Sequence, residues 1–298
     1  MRPKTEAELA EMVAGAISPL LLRGGGTRTL GHAMGEVLET GGLTGVDLYE
    51  PGALTLVVRA GTPLAEVEAV LAAERQRLAF EVPDLRGLLG REGVSTIGGV
   101  VATNASGPRR VQVGACRDAC LGVRFVDGTG TVIKNGGRVM KNVTGYDLVK
   151  LLAGSRGVLG VLTEVSFKVQ ALPEAEATLV IEGLDDEAGL KALCTALGSP
   201  FDVSGAARHT GQSLIRVEGM AGSVAYRVGR LRDRIGGDAG GADHPRDRRE
   251  AVARGGRGGA DHQERRGVGQ RRRRCASVIV ADRGEPRRVR QRQRVLAT

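Results

Sequence analysis

The sequence predicts a mixed protein of helices and sheets, α+β in class, on three observations. Segments with strand character alternate with segments of helical periodicity over residues 1–226. Glycine is abundant, 46 of 298 residues, without a three-residue period, which suits a loop-rich globular chain and excludes a collagen-like one. Apolar residues form 41% of the chain and charged residues 26%, enough for a sizeable core in one large domain or two.

Thr5-x-x-Glu8 has the spacing of a helix-capping box, and Leu9, Met12 and Val13 fall on one face behind it. Pro19–Leu22 reads as a buried strand that runs into the loop Arg23-Gly-Gly-Gly-Thr27. Val46–Leu48 and Leu54–Ala60 read as two strands about the turn Glu50-Pro51-Gly52. Thr62-Pro63 reads as a helix start, with a hydroxyl cap and proline in the first position, and Leu64, Val67 and Leu71 share a face, so residues 63–75 are expected to be helical. A glycine-rich stretch poor in charge covers 93–107. Leu121–Val126 and Thr131–Lys134 form a hairpin about Asp127-Gly-Thr-Gly130. Asp147–Leu152 reads as helix, and the loop 154–160 leads into an alternating strand at 161–169.

Three glycine-rich loops with Ser and Thr hydroxyls, at 23–27, 93–107 and 154–160, suit a phosphate-bearing ligand, because backbone N–H groups without a β-carbon approach an anion closely. Standard nucleotide motifs do not account for them. There is no G-x-x-x-x-G-K-[ST]. Gly24-x-Gly26 lacks the third glycine of the dinucleotide fingerprint, so a Rossmann fold is disfavoured, and Asp47 stands near that motif's acidic position by coincidence. No G-x-S-x-G or H-E-x-x-H occurs, and four histidines leave little for a triad or a metal cluster; His32 reads as a loop residue. Cys116-x3-Cys120 lacks a second pair and reads as two buried small side chains rather than a metal site. Four cysteines suggest a reducing compartment, and neither an N-terminal apolar signal nor a membrane-length apolar run is visible.

Arg23–Thr27, Ala60–Glu68, Thr96–Arg110, Val139–Leu148 and Gly154–Glu164 occur in an order that resembles the PCMH-type FAD-binding domain of the vanillyl-alcohol oxidase and p-cresol methylhydroxylase superfamily. Within it, Ser106–Arg110 and Met140–Asp147 are most similar to the FAD-binding subunits of bacterial glycolate oxidases. The resemblance covers roughly residues 5–182. It implies two α/β subdomains with the flavin between them, followed by a separate substrate or cap domain. By position, Gly24, Gly25, Gly26 and Thr27 would hold the diphosphate through backbone N–H groups. Thr96, Gly98, Gly99, Asn104, Ser106 and Gly107 would line the second loop, and Gly160 and Val161 would pack a strand against the cofactor. An uncharged site would let the flavin ring replace water. Some superfamily members attach FAD through a His in or beside the first loop. Thr27 and Arg28 occupy that place here, so non-covalent FAD is expected. For Lys141 and Tyr146 the cofactor-facing and solvated readings stay open.

The composition changes after Tyr226. Residues 1–227 carry 23 Lys and Arg against 25 Asp and Glu, whereas residues 228–298 carry 20 Arg, no Lys and 9 acidic residues, so the net charge of +9 belongs to the tail. Residues 227–298 hold no Phe, Tyr, Trp, Met or Lys and too few apolar groups to offset chain ordering. A nucleic-acid-binding arm and a disordered tail are two readings. The favoured third is that a GC-rich gene is read out of frame there. The expected domains are therefore a PCMH-type FAD-binding domain at 1–175, an incomplete cap domain at 176–226 and an Arg/Gly-rich disordered tail at 227–298.

What the resemblance implies is an FAD-binding subunit of a 2-hydroxy-acid oxidase, with glycolate as the expected substrate. Its flavin would accept a hydride or relay electrons. Its partners would be a sister flavoprotein subunit and an iron–sulfur subunit, in the cytoplasm or peripheral to the inner membrane through those partners. The catalytic residues are left unassigned, and no metal or nucleic-acid partner is expected. The alternatives are a non-catalytic assembly subunit that keeps the flavin fold and a basic nucleic-acid-binding protein.

Overall fold

The structure, a computed structural model, describes residues 1–29, 31, 34–138, 145–238 and 276–282. The chain divides into two compact units, Met1–Pro173 and Glu174–Thr298.

The first unit begins with helix α1 (Glu6–Ala14). Thr5 caps it, its hydroxyl accepting from the Glu8 N–H at 3.2 Å, while the Glu8 carboxylate accepts from the Lys4 N–H at 2.8 Å, one residue earlier than the capping box requires. Strand β1 (Leu20–Arg23) pairs in parallel with β2 (Glu36–Glu39) and is only half-buried, because this two-stranded sheet leaves one side open. Strands β3 (Val46–Glu50) and β4 (Thr55–Arg59) form the expected antiparallel pair. Asp47 on β3 takes an ion pair from Arg59 at 2.9 Å.

Helix α2 (Leu64–Ala73) buries Val67 and Leu71 as the periodicity requires, but its cap differs from expectation. Pro63 is the cap residue. The buried Thr62 hydroxyl turns instead to Gly45, accepting from its N–H at 2.9 Å and donating to its carbonyl at 3.1 Å. Strand β5 (Gln76–Leu78) and the short helices α3 (Arg86–Leu89), α4 (Ile97–Ala102), α5 (Arg110–Val113) and α6 (Cys116–Ala119) follow. Cys116 and Cys120 are buried with sulfurs 3.9 Å apart, and burial pushes the Cys116 thiol well up.

Strands β6 (Cys120–Val126) and β7 (Val132–Gly136) make the hairpin, its turn closed by the Asp127 carboxylate, which accepts from the N–H groups of Thr129 and Thr131 at 2.9 Å each. Helix α7 (Leu148–Leu152) is capped by Asp147. Strand β8 (Val161–Ala171) completes a sheet of order β3-β4-β8-β6-β7, with β5 also on β8. β8 is the central strand, and its burial departs from strict alternation because both faces are covered. Leu162, Val165, Phe167 and Val169 join the main core with Val67, Leu71 and Val100 of α2 and α4. Val161 joins a second cluster with Leu9 and Val13 of α1.

The second unit is a sheet of order β10-β11-β9-β12, formed by β9 (Ala175–Ile181), β10 (Val203–His209), β11 (Gln212–Gly219) and β12 (Ala276–Asp282), with neighbouring strands antiparallel. Helices α8 (Asp186–Leu197) and α9 (Ala221–Asp238) share its core. The tail boundary drawn at 226 falls inside α9. Val224, Val228, Leu231 and Ile235 are buried at helical spacing, a stripe sufficient to hold an Arg-rich segment as helix. Residues 276–282, also inside the tail expected to be disordered, form β12 against β9, whereas 239–275, Arg271–Arg274 among them, and 283–298 lie outside the described residues.

Candidate functional site

The three glycine loops of the first unit meet. A β-carbon at Gly24 would lie 2.4 Å from Thr96 Oγ1, and one at Gly93 would lie 2.2 Å from the Gly25 carbonyl oxygen, so the first two loops touch along their backbones. The second loop is fixed to the turn before α2 by three backbone bonds: Leu64 N–H to Ser95 at 2.8 Å, Ile97 N–H to Thr62 at 3.0 Å and Gly98 N–H to Ala60 at 2.6 Å. The end of α4 receives the third loop, its Val101 and Ala102 carbonyls accepting from Gly154 at 3.0 Å and Arg156 at 2.8 Å. Residues up to about 130 positions apart thus form one wall.

That wall encloses a cavity of about 290 Å³, near the small end of the range for ligand pockets. Of the residues selected from sequence, Gly24, Gly25, Gly26, Thr27, Thr96, Gly98, Gly99, Gly160 and Val161 line it. Asn104, Ser106 and Gly107 lie off the lining. The Asn104 side-chain oxygen accepts from the Arg117 N–H at 2.9 Å, and the Ser106 hydroxyl accepts from Arg110 Nη1 at 3.0 Å. A β-carbon at Gly107 would press on the Glu81 side chain at 2.8 Å. Tyr146 is 88% exposed and off the lining, whereas Lys141 and His32 lie outside the described residues.

The N–H groups of Gly25, Gly26 and Thr27 are engaged by no other backbone carbonyl among the described residues, which leaves three donors in a row on the cavity wall. Gly98 is different, since its N–H is committed to Ala60. The expected neutrality is also corrected. Among the described residues Arg23, Arg28 and Arg156 line the cavity and no carboxylate does, because the loops bring together cations that are distant in sequence. Arg28 is the buried one of the three. Burial pushes its pKa down, opposed by the charge of Asp84. Unengaged N–H donors, three arginines and the buried Thr27 and Thr96 make a cradle with the donors and charge an anion would need. A diphosphate meets those donors and charges, so these residues fit the phosphate part of a flavin dinucleotide. Among the described residues no group of His, Cys, Asp and Glu is arranged to hold a metal, and no helix is long and apolar enough to cross a membrane.

Fold and cradle together define a flavin-nucleotide-binding α+β domain. Residues 1–136 match the family described as FAD binding domain, so the N-terminal unit carries that domain, with FAD as cofactor. The chain is 40% identical over 221 residues to glycolate oxidase subunit GlcE of Escherichia coli (strain K12), covering 72% of this chain and 61% of that protein. It is 31% identical over 175 residues to glycolate oxidase subunit GlcD of Bacillus subtilis (strain 168), covering 54% and 34%. It is also similar to a D-lactate dehydrogenase of Archaeoglobus fulgidus, at 34% identity over 155 residues and 51% and 33% coverage. The chain thus spans under two thirds of these relatives. A solved structure of alkyldihydroxyacetonephosphate synthase superposes with a TM-score of 0.66 over 80% of this chain and 50% of that one, at 18% identity, so the two share a fold.

Proposed function

We propose that this chain is the FAD-binding subunit of a 2-hydroxy-acid oxidase or dehydrogenase, with glycolate as the favoured substrate. The observation that carries the reading is the cradle: three unengaged N–H groups at Gly25–Thr27, three arginines and no carboxylate on one wall. The similarity to two glycolate oxidase subunits supports the substrate class. FAD supplies hydride acceptance from the alcohol carbon. The chain's own part is to bind the diphosphate through the first loop, to hold Thr96 and Gly99 beside it, and to exclude water with Val161 and Leu162 of β8. The favoured partners are a sister flavoprotein subunit and an iron–sulfur subunit, with FAD held without a covalent bond, in the cytoplasm or at the inner membrane through those partners.

A non-catalytic assembly subunit is the second reading. It is favoured by the close approach of Gly25 and Gly93 to neighbouring backbone, which demands glycine for packing alone. The test is the purified full chain, alone and co-expressed with candidate partner subunits. A flavin absorbance spectrum with glycolate-dependent dye reduction in the complex supports the oxidase. Partner assembly by a chain that takes up no flavin supports the scaffold.

A further inference from the structure

Arg28 is 8% exposed and lines the cavity directly after the three N–H donors. Its Nη2 donates to the Pro83 carbonyl at 2.8 Å, which fixes the guanidinium in place. Its Nε is buried without a hydrogen-bond partner among the described residues. The acid whose charge reaches it, Asp84, is committed to Arg86 at 2.7 Å. A guanidinium does not shed its proton to escape burial. A buried cation held, among the described residues, by one carbonyl and no carboxylate destabilises the fold that contains it, unless an anion arrives. Arg23 and Arg156 differ, for they stand exposed on the same wall, where solvent screens them.

We propose that Arg28 is the buried cation that meets the diphosphate of bound FAD, and that the fold without FAD carries its charge at a cost in stability. The proposal rests on the FAD reading of the cavity. The Gly25–Thr27 N–H groups would take phosphate oxygens, and the adjacent guanidinium would neutralise the charge those dipoles cannot. Affinity for the cofactor and stability of the apoprotein are thereby placed in opposition at one side chain.

The test uses the full-length chain stripped of flavin, as wild type, Arg28→Met and Arg28→Lys. FAD affinity is read by flavin fluorescence, and melting temperature is read without ligand, with FAD and with inorganic pyrophosphate. Arg28→Met is expected to melt no lower than wild type as apoprotein, to bind FAD at least about ten-fold more weakly, and to lose any pyrophosphate-induced rise in melting temperature. Arg28→Lys is expected to keep part of both responses. FAD binding by Arg28→Met within about two-fold of wild type overturns the proposal. So does a lower apoprotein melting temperature with unchanged affinity, which would make Arg28 a tie to Pro83 only. Failure of the wild type to take up FAD would instead sink the cofactor reading. Arg28 is then judged on pyrophosphate, and a wild type indifferent to that anion overturns this proposal as well.

Discussion

A β-carbon at Gly25 would stand 1.5 Å from the carbonyl oxygen of Val94. No side chain is accommodated at that distance without parting the first loop from the second. Gly25→Ala is therefore expected to destabilise the first unit by roughly 3 kcal/mol or more, as overpacking against backbone does. Denaturant unfolding of the apoprotein measures it. A variant that unfolds at the wild-type midpoint would show that the loops part at no cost.

Gly99 gives a cleaner probe of the cavity. A β-carbon there would lie 3.4 Å from Thr96 Oγ1, within reach of a small adjustment. Gly99→Ala should leave the apoprotein as stable or more so, by up to about 1 kcal/mol from helix propensity. Gly99→Glu should weaken FAD binding at least about ten-fold through bulk and like charge, with apoprotein melting little changed. Equal FAD affinity for Gly99→Glu and wild type would remove α4 from the cofactor wall.

Acid should loosen α1. Glu6 accepts from Thr163 Oγ1 at 2.6 Å and from Arg124 Nε at 3.1 Å, with a second, shorter contact to Arg124 Nη2, tying α1 to β6 and β8. The Arg124 hydrogen bonds hold the Glu6 carboxyl below its ordinary value of 4.5, outweighing burial. A folded-state value below the unfolded one means the contribution is full above about pH 4.5 and fades as pH falls through the lower value. The stability gap between wild type and Glu6→Gln should thus be widest near neutrality and close in acid. A gap that stays constant down to about pH 3 would assign it to shape rather than charge.

Limited trypsin digestion reports on the second unit. The apolar stripe of α9, Val224 to Ile235, should protect Arg230, Arg232 and Arg234, so the first cuts should fall beyond Asp238. Mass spectrometry of the fragments decides it. First cuts at Arg227 or Arg230 would restore the sequence-drawn boundary. Translating the gene in its other frames downstream of the helix tests the out-of-frame proposal: a segment with alternating apolar strands and aromatics supports it, and its absence in every frame counts against it.

Acid precipitation of the flavin-loaded chain should release all yellow colour to the supernatant. Flavin remaining with the pellet would contradict non-covalent attachment.

Local signals carried much of the fold. The Thr5 cap and the Asp127 turn are short-range hydrogen-bond arrangements between neighbours in sequence, and both were legible. β2 was not, since Glu36–Glu39 is short and finds its parallel partner across the first glycine loop. α9 was hidden by averaging composition over a long tail, which diluted Val228, Leu231 and Ile235, whose helical spacing continues from Val224. At the site, glycine identity pointed to the loops but not to their charge. Arg28 is buried because Pro83 lies against it, 55 positions away, and nothing local in the sequence announces that. Asn104 stood within a matching motif, yet its side chain serves the Arg117 backbone.

β8 lies between β4 and β6, although it is the last strand of its unit to be made. Its first residues, Val161 and Leu162, are also part of the cavity wall. A nascent chain that has delivered residues 1–136 therefore has the first two loops, but neither the third nor the strand that closes the sheet on which they rest. The loops wait, with Arg28 and the exposed flank of β4, until some 35 further residues have left the ribosome. Flavin supply then acts late in synthesis: it can trap a finished N-terminal unit but cannot template one, and cofactor starvation should leave a folded, colourless protein rather than an aborted chain.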